Sequence, residues 1–234
     1  CKKILTNYDC PILRKNFTPT AWWSIQKVEG IDFCALPISV DGQKTIAELY
    51  EKGSLIDQIT IPIPGLHNLS NAIGAIAACR VEGLSWGALL EGIHTLEAPS
   101  RRFDLRGVWK GRHIVDDYAH HPSEVSSTIE MARLMIDSHQ CPLASSPKRL
   151  VVVFQPHRYS RTHQFLSDFA NALGKADAIL LAPVYEAGES PIDGASSKDL
   201  ANKINQLNPK LPIKTAQDIK ELPALINHYT LKDD

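Results

Sequence analysis

Three segments of the chain collect arginine, histidine and acidic side chains directly after short apolar runs. These segments are residues 116–122, 155–162 and 183–191. In open α/β sheets, ligands bind outside the carboxyl ends of the strands, so polar clusters that follow strands mark a candidate site. The mixture of guanidinium, imidazole and carboxylate groups predicts a site for a small anionic substrate.

The groups best suited to an anion are Arg158 and Arg161, three residues apart where a helix is predicted to begin. Their planar guanidinium forks match carboxylate or phosphate. Asp117 follows a predicted strand and could accept hydrogen bonds from a ribose diol, as an acid beyond a strand does in nucleotide-binding folds. Taken alone, the residues favour the alternative that Asp116 and Asp117 form an ordinary turn and cap.

Metal and polyphosphate sites are not predicted. His120 and His121 are adjacent and point in different directions, and no third ligand stands at a standard zinc spacing. His120 instead suits a position beside a carboxylate-bearing substrate. The phosphate-binding patterns GxxxxGK(S/T) and GxGxxG are absent from the sequence, so the chain by itself shows no polyphosphate cradle.

The elements that must position these groups fall into two regions. The first is predicted to be sheet-rich and antiparallel, with a hairpin turning at Lys52-Gly53. It continues into a small-residue helix with Asn68 as N-cap and Gly83 as stop, and a second helix follows a Ser85 cap. The Ala and Gly residues of the first helix leave room for another backbone or a flat ligand. Strands are predicted at residues 3–6, 21–25, 31–40, 44–51 and 55–63.

From residue 103 onward, strands alternate with helices. Crossover helices between strands imply a mostly parallel sheet, and the apolar run 151–154 is typical of a strand buried on both faces. Pro122 and Glu124 suit the first turn of a helix. These features predict an α/β fold. Strands are predicted at 103–109, 113–117, 149–155, 178–183 and 211–214, and helices at 122–138, 162–173, 196–205 and 216–228.

Composition limits the classes of function. The chain has 234 residues, of which 44% are apolar and 22% charged, and a formal net charge of −1. That balance provides no basic field for nucleic acid, and the longest apolar run, 176–184, is too short to span a bilayer. The five cysteines are scattered without a CxxC pair, which favours a reducing compartment. We therefore predict a cytoplasmic protein that binds neither nucleic acid nor membrane.

Three motifs together resemble the Mur ligases of bacterial peptidoglycan synthesis. They are residues 65–72 (GLHNLSNA), 101–104 (RRFD) and 116–125 (DDYAHHPSEV). Residues 154–162 (FQPHRYSRT) and 184–192 (VYEAGESPI) are similar to the branch of the family that joins L-alanine to UDP-N-acetylmuramate. The resemblance runs nearly from end to end of the chain, and the combination of motifs is highly specific.

The resemblance implies a fold and an extent. Residues 1–103 would be the C-terminal part of the family's central ATP-binding domain, a mixed sheet with helices. Residues 104–234 would be its C-terminal Rossmann-like domain, without the last strand. The family's phosphate loop and its magnesium-binding Glu and His would then lie upstream of Cys1. This accounts for the absent phosphate patterns and implies a fragment that is inactive alone.

The resemblance also implies roles for individual residues. Asn68 and Asn71 match the pair placed around the adenine of ATP. Arg102 matches the arginine that contacts ATP phosphate, and Asp117 matches the acid at the ribose hydroxyls. The residues that match the amino-acid and muramoyl carboxylate end are Tyr118, His120, Arg158 and Arg161. The residues expected to act in catalysis are Arg102, His120, Arg158 and Arg161.

The implied reaction uses ATP and Mg²⁺ to phosphorylate the muramoyl carboxylate, after which the amine of L-alanine attacks the acyl phosphate. UDP-N-acetylmuramate and L-alanine are the implied substrates. The nearest alternative is the related ligase that recycles a muropeptide by joining it to UDP-N-acetylmuramate. An alternative of another class is a non-catalytic module that binds a nucleotide or an anion.

Overall fold

The computed structural model describes residues 3–41, 43–97, 101–137 and 149–231. The chain divides into two compact units, Cys1–Ala98 and Pro99–Asp234, each with its own hydrophobic core. This division lies a few residues before the boundary expected at residue 103. The reason is a hydrogen bond from Tyr118 N to Arg101 O (2.8 Å), which ties the segment around Arg101 to the second unit.

The first unit contains five strands and three helices within the described residues. In chain order they are β1 (Leu5–Asn7), α1 (Pro11–Asn16), β2 (Ala21–Ser24), β3 (Phe33–Val40), β4 (Thr45–Glu51), β5 (Ser54–Ile61), α2 (Leu66–Val81) and α3 (Trp86–Ile93). The strands form one mixed sheet in the order β1-β2-β3-β4-β5.

The first three strands of this sheet are parallel, so the prediction of an antiparallel region was wrong for them. The connection between β1 and β2 carries the short helix α1, which returns the chain in the same direction. The remaining pairs, β3–β4 and β4–β5, are antiparallel. The predicted hairpin turn is confirmed: Lys52 and Gly53 both have positive φ, 49° and 80°, as a tight two-residue connection requires.

Helix α2 packs its apolar side on the sheet, burying Leu69 and Ile73 completely. A Cβ added at Gly74 would lie 3.1 Å from the indole of Trp23. The absence of a side chain at Gly74 therefore accommodates the Trp23 ring of β2. At Gly74, the space that the sequence suggested for a ligand or a second backbone is occupied by the Trp23 side chain.

The ends of α2 differ in how well they were predicted. Its N-cap is Gly65, not Asn68, and Gly65 has a φ of 104° that a residue with a side chain rarely adopts. Asn68 lies in the first turn, where its Nδ2 donates to Pro64 O (2.7 Å). The stop at Gly83 is confirmed by its φ of 95°. The Ser85 cap of α3 is also confirmed, since its hydroxyl accepts from Ala88 N (3.4 Å).

The second unit alternates strands and helices. Its elements are β6 (Asp104–Trp109), β7 (Arg112–Asp116), α4 (Pro122–Asp137), β8 (Val151–Phe154), α5 (Tyr159–Gln164), α6 (Leu166–Leu173), β9 (Ala178–Leu181), α7 (Ser197–Leu207), β10 (Ile213–Thr215), a 3-10 turn (Ile219–Glu221) and α8 (Leu222–Tyr229). Strands β8, β9 and β10 form a parallel sheet in the order β10-β9-β8, and β6 and β7 form an antiparallel hairpin.

The core of the second unit lies between the parallel sheet and the helices. Strand β9 is buried along its whole length, and α4, α6 and α7 contribute the apolar side chains around it. The α/β prediction is therefore confirmed. The single helix predicted over 162–173 was wrong, because the chain leaves helical geometry at Phe165 (φ −114°, ψ 23°) and forms α5 and α6 instead.

A cavity of about 330 Å³ lies beside β8, with linings from β7, α4 and α8. Its walls are mostly aliphatic and include Ile114, Met135 and Val153. The polar clusters lie instead at the carboxyl ends of the strands, where the candidate site is found. Among the described helices, none combines the length and the apolar character needed to cross a membrane.

Candidate functional site

The carboxyl ends of β8 and β9 run side by side into the loops that follow them. Their parallel pairing continues as an isolated bridge between His157 and Tyr185. Tyr185 N donates to Pro156 O (2.8 Å), and Arg158 N donates to Tyr185 O (2.8 Å). These backbone bonds bring two of the polar clusters together, because the ends of neighbouring parallel strands meet at one edge of the sheet.

Arg158 caps α5 with a backbone conformation that is unusual for an arginine. Its φ is 71° and its ψ is 135°. The side chain is half exposed, and its Nη1 lies 3.7 Å from Glu189 Oε1. Glu189 also accepts from Ser160 N (2.9 Å) and Ser160 Oγ (2.7 Å). These hydrogen bonds, together with the charge of Arg158, hold the pKa of Glu189 below its usual range.

His120, in the loop between β7 and α4, is held by contacts on several sides. Its Nδ1 lies 2.9 Å from Tyr118 O and 3.4 Å from Glu124 Oε2. Its ring meets that of Tyr118 edge to face, with centroids 5.5 Å apart. Arg161 Nη1 donates to His120 O (3.4 Å). This last contact joins the loop after β7 to α5, so all three polar clusters belong to one site.

His157 lies inside this cluster of side chains. Its ring stacks on that of Tyr185 at 5.1 Å and an angle of 30°, and its centroid is 6.4 Å from that of His120. Burial, followed by the positive charges of Arg161 and Arg158, lowers the pKa of His157, while Glu189 acts weakly in the opposite direction. The site therefore holds an imidazole that favours its neutral form.

Glu124 organises the start of α4. It accepts from His120 N (3.0 Å) and His121 N (3.1 Å) through Oε2, and its Oε1 lies 3.7 Å from Arg102 Nη1. Burial acts to raise the pKa of Glu124, but the two backbone hydrogen bonds and the charges of His120 and Arg102 outweigh it and lower that pKa. One carboxylate therefore contacts two residues that were predicted to act on substrates.

Asp117 uses both carboxylate oxygens within its own loop. Oδ2 accepts from Phe103 N (2.8 Å), and Oδ1 accepts from Ala119 N (2.7 Å). Asp116 pairs with Arg106 (2.9 Å) and Arg101 (3.4 Å). The geometry thus matches the turn-and-cap alternative. A carboxylate oxygen has a second lone pair, so these bonds leave Asp117 the capacity to accept from a hydroxyl group.

In the first unit, Asn68 and Asn71 stand three residues apart on α2 and so share one helix face. Asn71 is exposed, whereas Asn68 is half-buried. The bond from Asn68 Nδ2 to Pro64 O orients its carboxamide and directs the oxygen away from that carbonyl. Within the described residues, no group of three or more His, Cys, Asp and Glu side chains is placed to hold a metal ion.

The sequence of this chain was compared with models of known protein families. Residues 101–234 match the family described as Mur ligase, glutamate ligase domain, which is more than half of the chain. The chain belongs to the Mur ligase family. The RRFD, DDYAHHP and QPHRYSR motifs all lie within the matched residues.

Curated relatives match the chain over its whole length. The UDP-N-acetylmuramate–L-alanine ligase of Prochlorococcus marinus (strain MIT 9303) is 57% identical over 234 residues, which is 100% of this chain and 48% of that protein. The ligase of the same name from Synechococcus sp. (strain CC9605) is also 57% identical, over 100% of this chain and 50% of that protein. The chain therefore spans about half the length of these relatives.

Solved Mur ligase structures share the fold. The UDP-N-acetylmuramate-alanine ligase MurC from Thermotoga maritima superposes with a TM-score of 0.66 at 22% identity, covering 92% of this chain and 43% of that one. A murein peptide ligase from Psychrobacter arcticus 273-4 gives a TM-score of 0.62 at 22% identity, covering 88% of this chain and 40% of that one.

Within this Mur ligase chain, the structure brings together four residues singled out from the sequence, and Arg102 joins them through Glu124. The four are Tyr118, His120, Arg158 and Arg161. Asn68 and Asn71 belong to the other unit. Sequence reasoning passed over His157, Tyr185 and Glu189 as site residues. The signal was available, since each lies in one of the three polar clusters.

Proposed function

We propose that the chain is part of an ATP-dependent ligase that joins L-alanine to the carboxylate of UDP-N-acetylmuramate in the cytoplasm. The observation that carries this proposal is the 57% identity, over all 234 residues, with ligases that bear this name. The chain spans about half of those proteins, so we assign the activity to the complete protein. We expect residues 1–234 alone to show no turnover.

The two units fit this proposal as parts of a larger enzyme. Residues 1–103 would supply the C-terminal part of the central ATP-binding domain, and residues 104–234 would supply the C-terminal Rossmann-like domain. The mixed sheet of the first unit and the parallel sheet of the second are consistent with that division.

The polar cluster of the second unit supplies groups that suit a carboxylate-bearing substrate. We assign Arg158 and Arg161 to the amino-acid and muramoyl carboxylates, since guanidinium forks bind carboxylates with paired hydrogen bonds. His120 and Tyr118 line the same cluster. The catalytic contribution of these residues is to hold and neutralise anionic oxygens as charge develops on them.

For the nucleotide, residues are assigned in each unit separately. The carboxamides of Asn68 and Asn71 fit the edge of an adenine base, because each offers donors and an acceptor on one helix face. Arg102 is assigned to ATP phosphate and Asp117 to ribose hydroxyls. Bound ATP supplies the phosphoryl group that activates the carboxylate. We place no Mg²⁺ ligand in the described residues and expect those ligands in the preceding part of the protein.

The test is a steady-state assay of the complete protein with MgATP, UDP-N-acetylmuramate and one amine donor at a time. We expect phosphate release that depends on L-alanine. Release with a muropeptide-derived tripeptide but not with L-alanine would make the protein the recycling ligase. Release with neither donor, combined with nucleotide binding, would favour the non-catalytic module.

A further inference from the structure

Helix α5 begins at a residue whose side chain cannot cap it. N-cap positions favour Ser, Thr, Asp and Asn, because their side-chain oxygens accept from backbone N–H groups of the first turn. Arg158 stands at this position, and a guanidinium offers donors only. The acceptor comes instead from the segment after β9, where Oε2 of Glu189 accepts from Ser160 N (2.9 Å). Glu189 therefore does for α5 what an N-cap side chain does for other helices.

Two hydrogen bonds from Ser160 fix the carboxylate of Glu189. Besides the bond to Oε2, Oε1 accepts from Ser160 Oγ (2.7 Å), so both oxygens are bound at the start of α5. These bonds contribute most to the lowered pKa of Glu189, which is therefore charged at neutral pH. The Glu189 side chain is 24% exposed, whereas that of Arg158 is 49% exposed. The pair thus consists of an anchored anion and a half-exposed cation.

An anchored carboxylate can orient the arginine beside it. Exposed ion pairs contribute little when two long side chains must both be ordered to form them. Glu189 is already ordered by Ser160, so its charge can favour one arrangement of the Arg158 guanidinium, whose Nη1 lies 3.7 Å from Oε1. A guanidinium has five N–H donors, and a contact at one nitrogen leaves others for a substrate carboxylate.

The backbone around Arg158 is tied to the same segment. Arg158 N donates to Tyr185 O (2.8 Å), and the hydroxyl of Tyr159 donates to Glu186 Oε1 (3.5 Å). These contacts hold the main chain at its positive φ of 71°. Glu189 adds a contact with the guanidinium itself, so the segment after β9 supports both the backbone and the side chain of Arg158.

We propose that Glu189 is a positioning residue for Arg158, holding its guanidinium in the arrangement that binds the carboxylate of L-alanine. The inference rests on the proposed function, which assigns Arg158 to a substrate carboxylate. Glu189 acts through the arginine and takes no part in the chemical steps. The opposite expectation applies if Glu189 only offsets the charge of Arg158, because its removal would then strengthen the binding of an anion.

The test measures the KM for L-alanine and the KM for ATP in the complete protein carrying Glu189→Gln. Glutamine keeps an oxygen that can accept from Ser160 N but removes the charge. We expect the KM for L-alanine to rise about tenfold, because a misplaced binding group loses much of its effect, and the KM for ATP to stay unchanged. Glu186→Gln removes an exposed carboxylate from the same segment and is the matched control, in which neither constant should change.

A double-mutant cycle shows whether Glu189 acts through Arg158. In an Arg158→Ala background, Glu189→Gln should leave kcat/KM for L-alanine unchanged, because the group that Glu189 positions is absent. A purely structural role would give the same loss in both backgrounds. Glu189→Asp withdraws the charge by one carbon–carbon bond and should raise the KM for L-alanine about threefold. This variant provides a second measurement if Glu189→Gln does not fold.

Three results would overturn the inference. They are an unchanged or lowered KM for L-alanine in Glu189→Gln, an unchanged KM in Glu189→Asp, and a loss that persists in full in the Arg158→Ala background. Absence of L-alanine-dependent turnover in the unchanged enzyme would instead overturn the proposed function.

Discussion

Arg158 combines a side chain assigned to substrate with a strained backbone. Its φ of 71° lies in the region that costs a residue with a side chain about 1–2 kcal/mol. The hydrogen bond from Arg158 N to Tyr185 O (2.8 Å) and the helical turn of α5 that follows hold this conformation. Arg158 is proposed to bind substrate, and backbone strain of this kind is expected where the placement of a functional group takes precedence over stability.

Replacement of Arg158 separates these two effects. In the complete protein, Arg158→Ala and Arg158→Gly should both lower L-alanine-dependent turnover about a hundredfold, because each removes a group that neutralises developing charge. The Gly variant should nevertheless be more stable than the Ala variant by about 1 kcal/mol, because glycine adopts positive φ freely. Steady-state kinetics and urea unfolding measure the two quantities.

The control for this comparison is Lys210→Ala, which removes an exposed cation from the same unit and should leave turnover unchanged. Equal stability of the Ala and Gly variants would show that the backbone at residue 158 is not strained. Turnover retained in both variants would remove Arg158 from the site.

At the scale of elements, two exposed glycines test opposite backbone requirements. Gly53 has a φ of 80° in the β4–β5 turn, whereas Gly87 lies in the first turn of α3, and an added Cβ meets no atom within 4 Å at either position. Gly53→Ala should destabilise the chain by about 1 kcal/mol, and Gly87→Ala should stabilise it by about 0.5 kcal/mol. Urea midpoints of the two variants should move in opposite directions, and a shift of the same sign would contradict this account.

The elements that were predicted correctly carry local signals. The Lys52-Gly53 turn, the Gly83 stop and the Ser85 cap each follow from the residue at that position. The parallel pairing of β1, β2 and β3 has no such signal, because strand partners are chosen by contacts distant in sequence. The break at Phe165 has no Pro or Gly to mark it.

The last strand expected for the second unit stays a prediction. The aliphatic cavity described above lies beside β7 and β8, and Val153 of β8, which is 44% exposed, is among the residues that line it.

At the scale of the whole molecule, acid should weaken the second unit. Four carboxyl groups there have lowered pKa values, and such groups stabilise the folded state above their unfolded pKa. That stability is lost as the pH falls through the folded-state pKa. The four are Glu124, Asp177, Glu189 and Asp199. Hydrogen-exchange protection of the β9 amides should therefore decline on acidification to about pH 3.

Asp177 offers a way to isolate part of this effect. Burial acts to raise its pKa, but hydrogen bonds from Arg133 Nη1 (2.7 Å) and Leu150 N (2.7 Å) outweigh it. Asp177→Asn should cost about 1 kcal/mol at neutral pH, allowing for partial exposure, and should flatten the decline in acid. Asp193→Asn, an exposed acid of the same unit, should follow the unchanged protein. An unchanged pH slope in Asp177→Asn would show that this carboxylate does not contribute.

Part of the candidate site could be predicted from the sequence, because its residues follow strands whose ends meet at one edge of the sheet. The sequence places polar clusters at strand ends, and that argument finds Arg158, Arg161 and His120 because they are conspicuous within single segments. The partnership of His157 with Tyr185 depends on the alignment of β8 and β9, which brings residues 28 positions apart into contact. The role of Asp117 in its turn also depends on a contact distant in sequence, the hydrogen bond that its carboxylate accepts from Phe103 N.

Arg102 and His120 both contact the carboxylate of Glu124, so the effect of a substitution at either residue depends on the other. Replacing one of the two residues changes the electrostatic interaction between the Glu124 carboxylate and the other residue. The changes in the free energy of unfolding caused by substitutions at Arg102 and at His120 should therefore be non-additive. The interaction energy between the two substitutions should be smaller in a variant that lacks the Glu124 carboxylate. Such epistasis would restrict which paired replacements a lineage can accumulate at these positions.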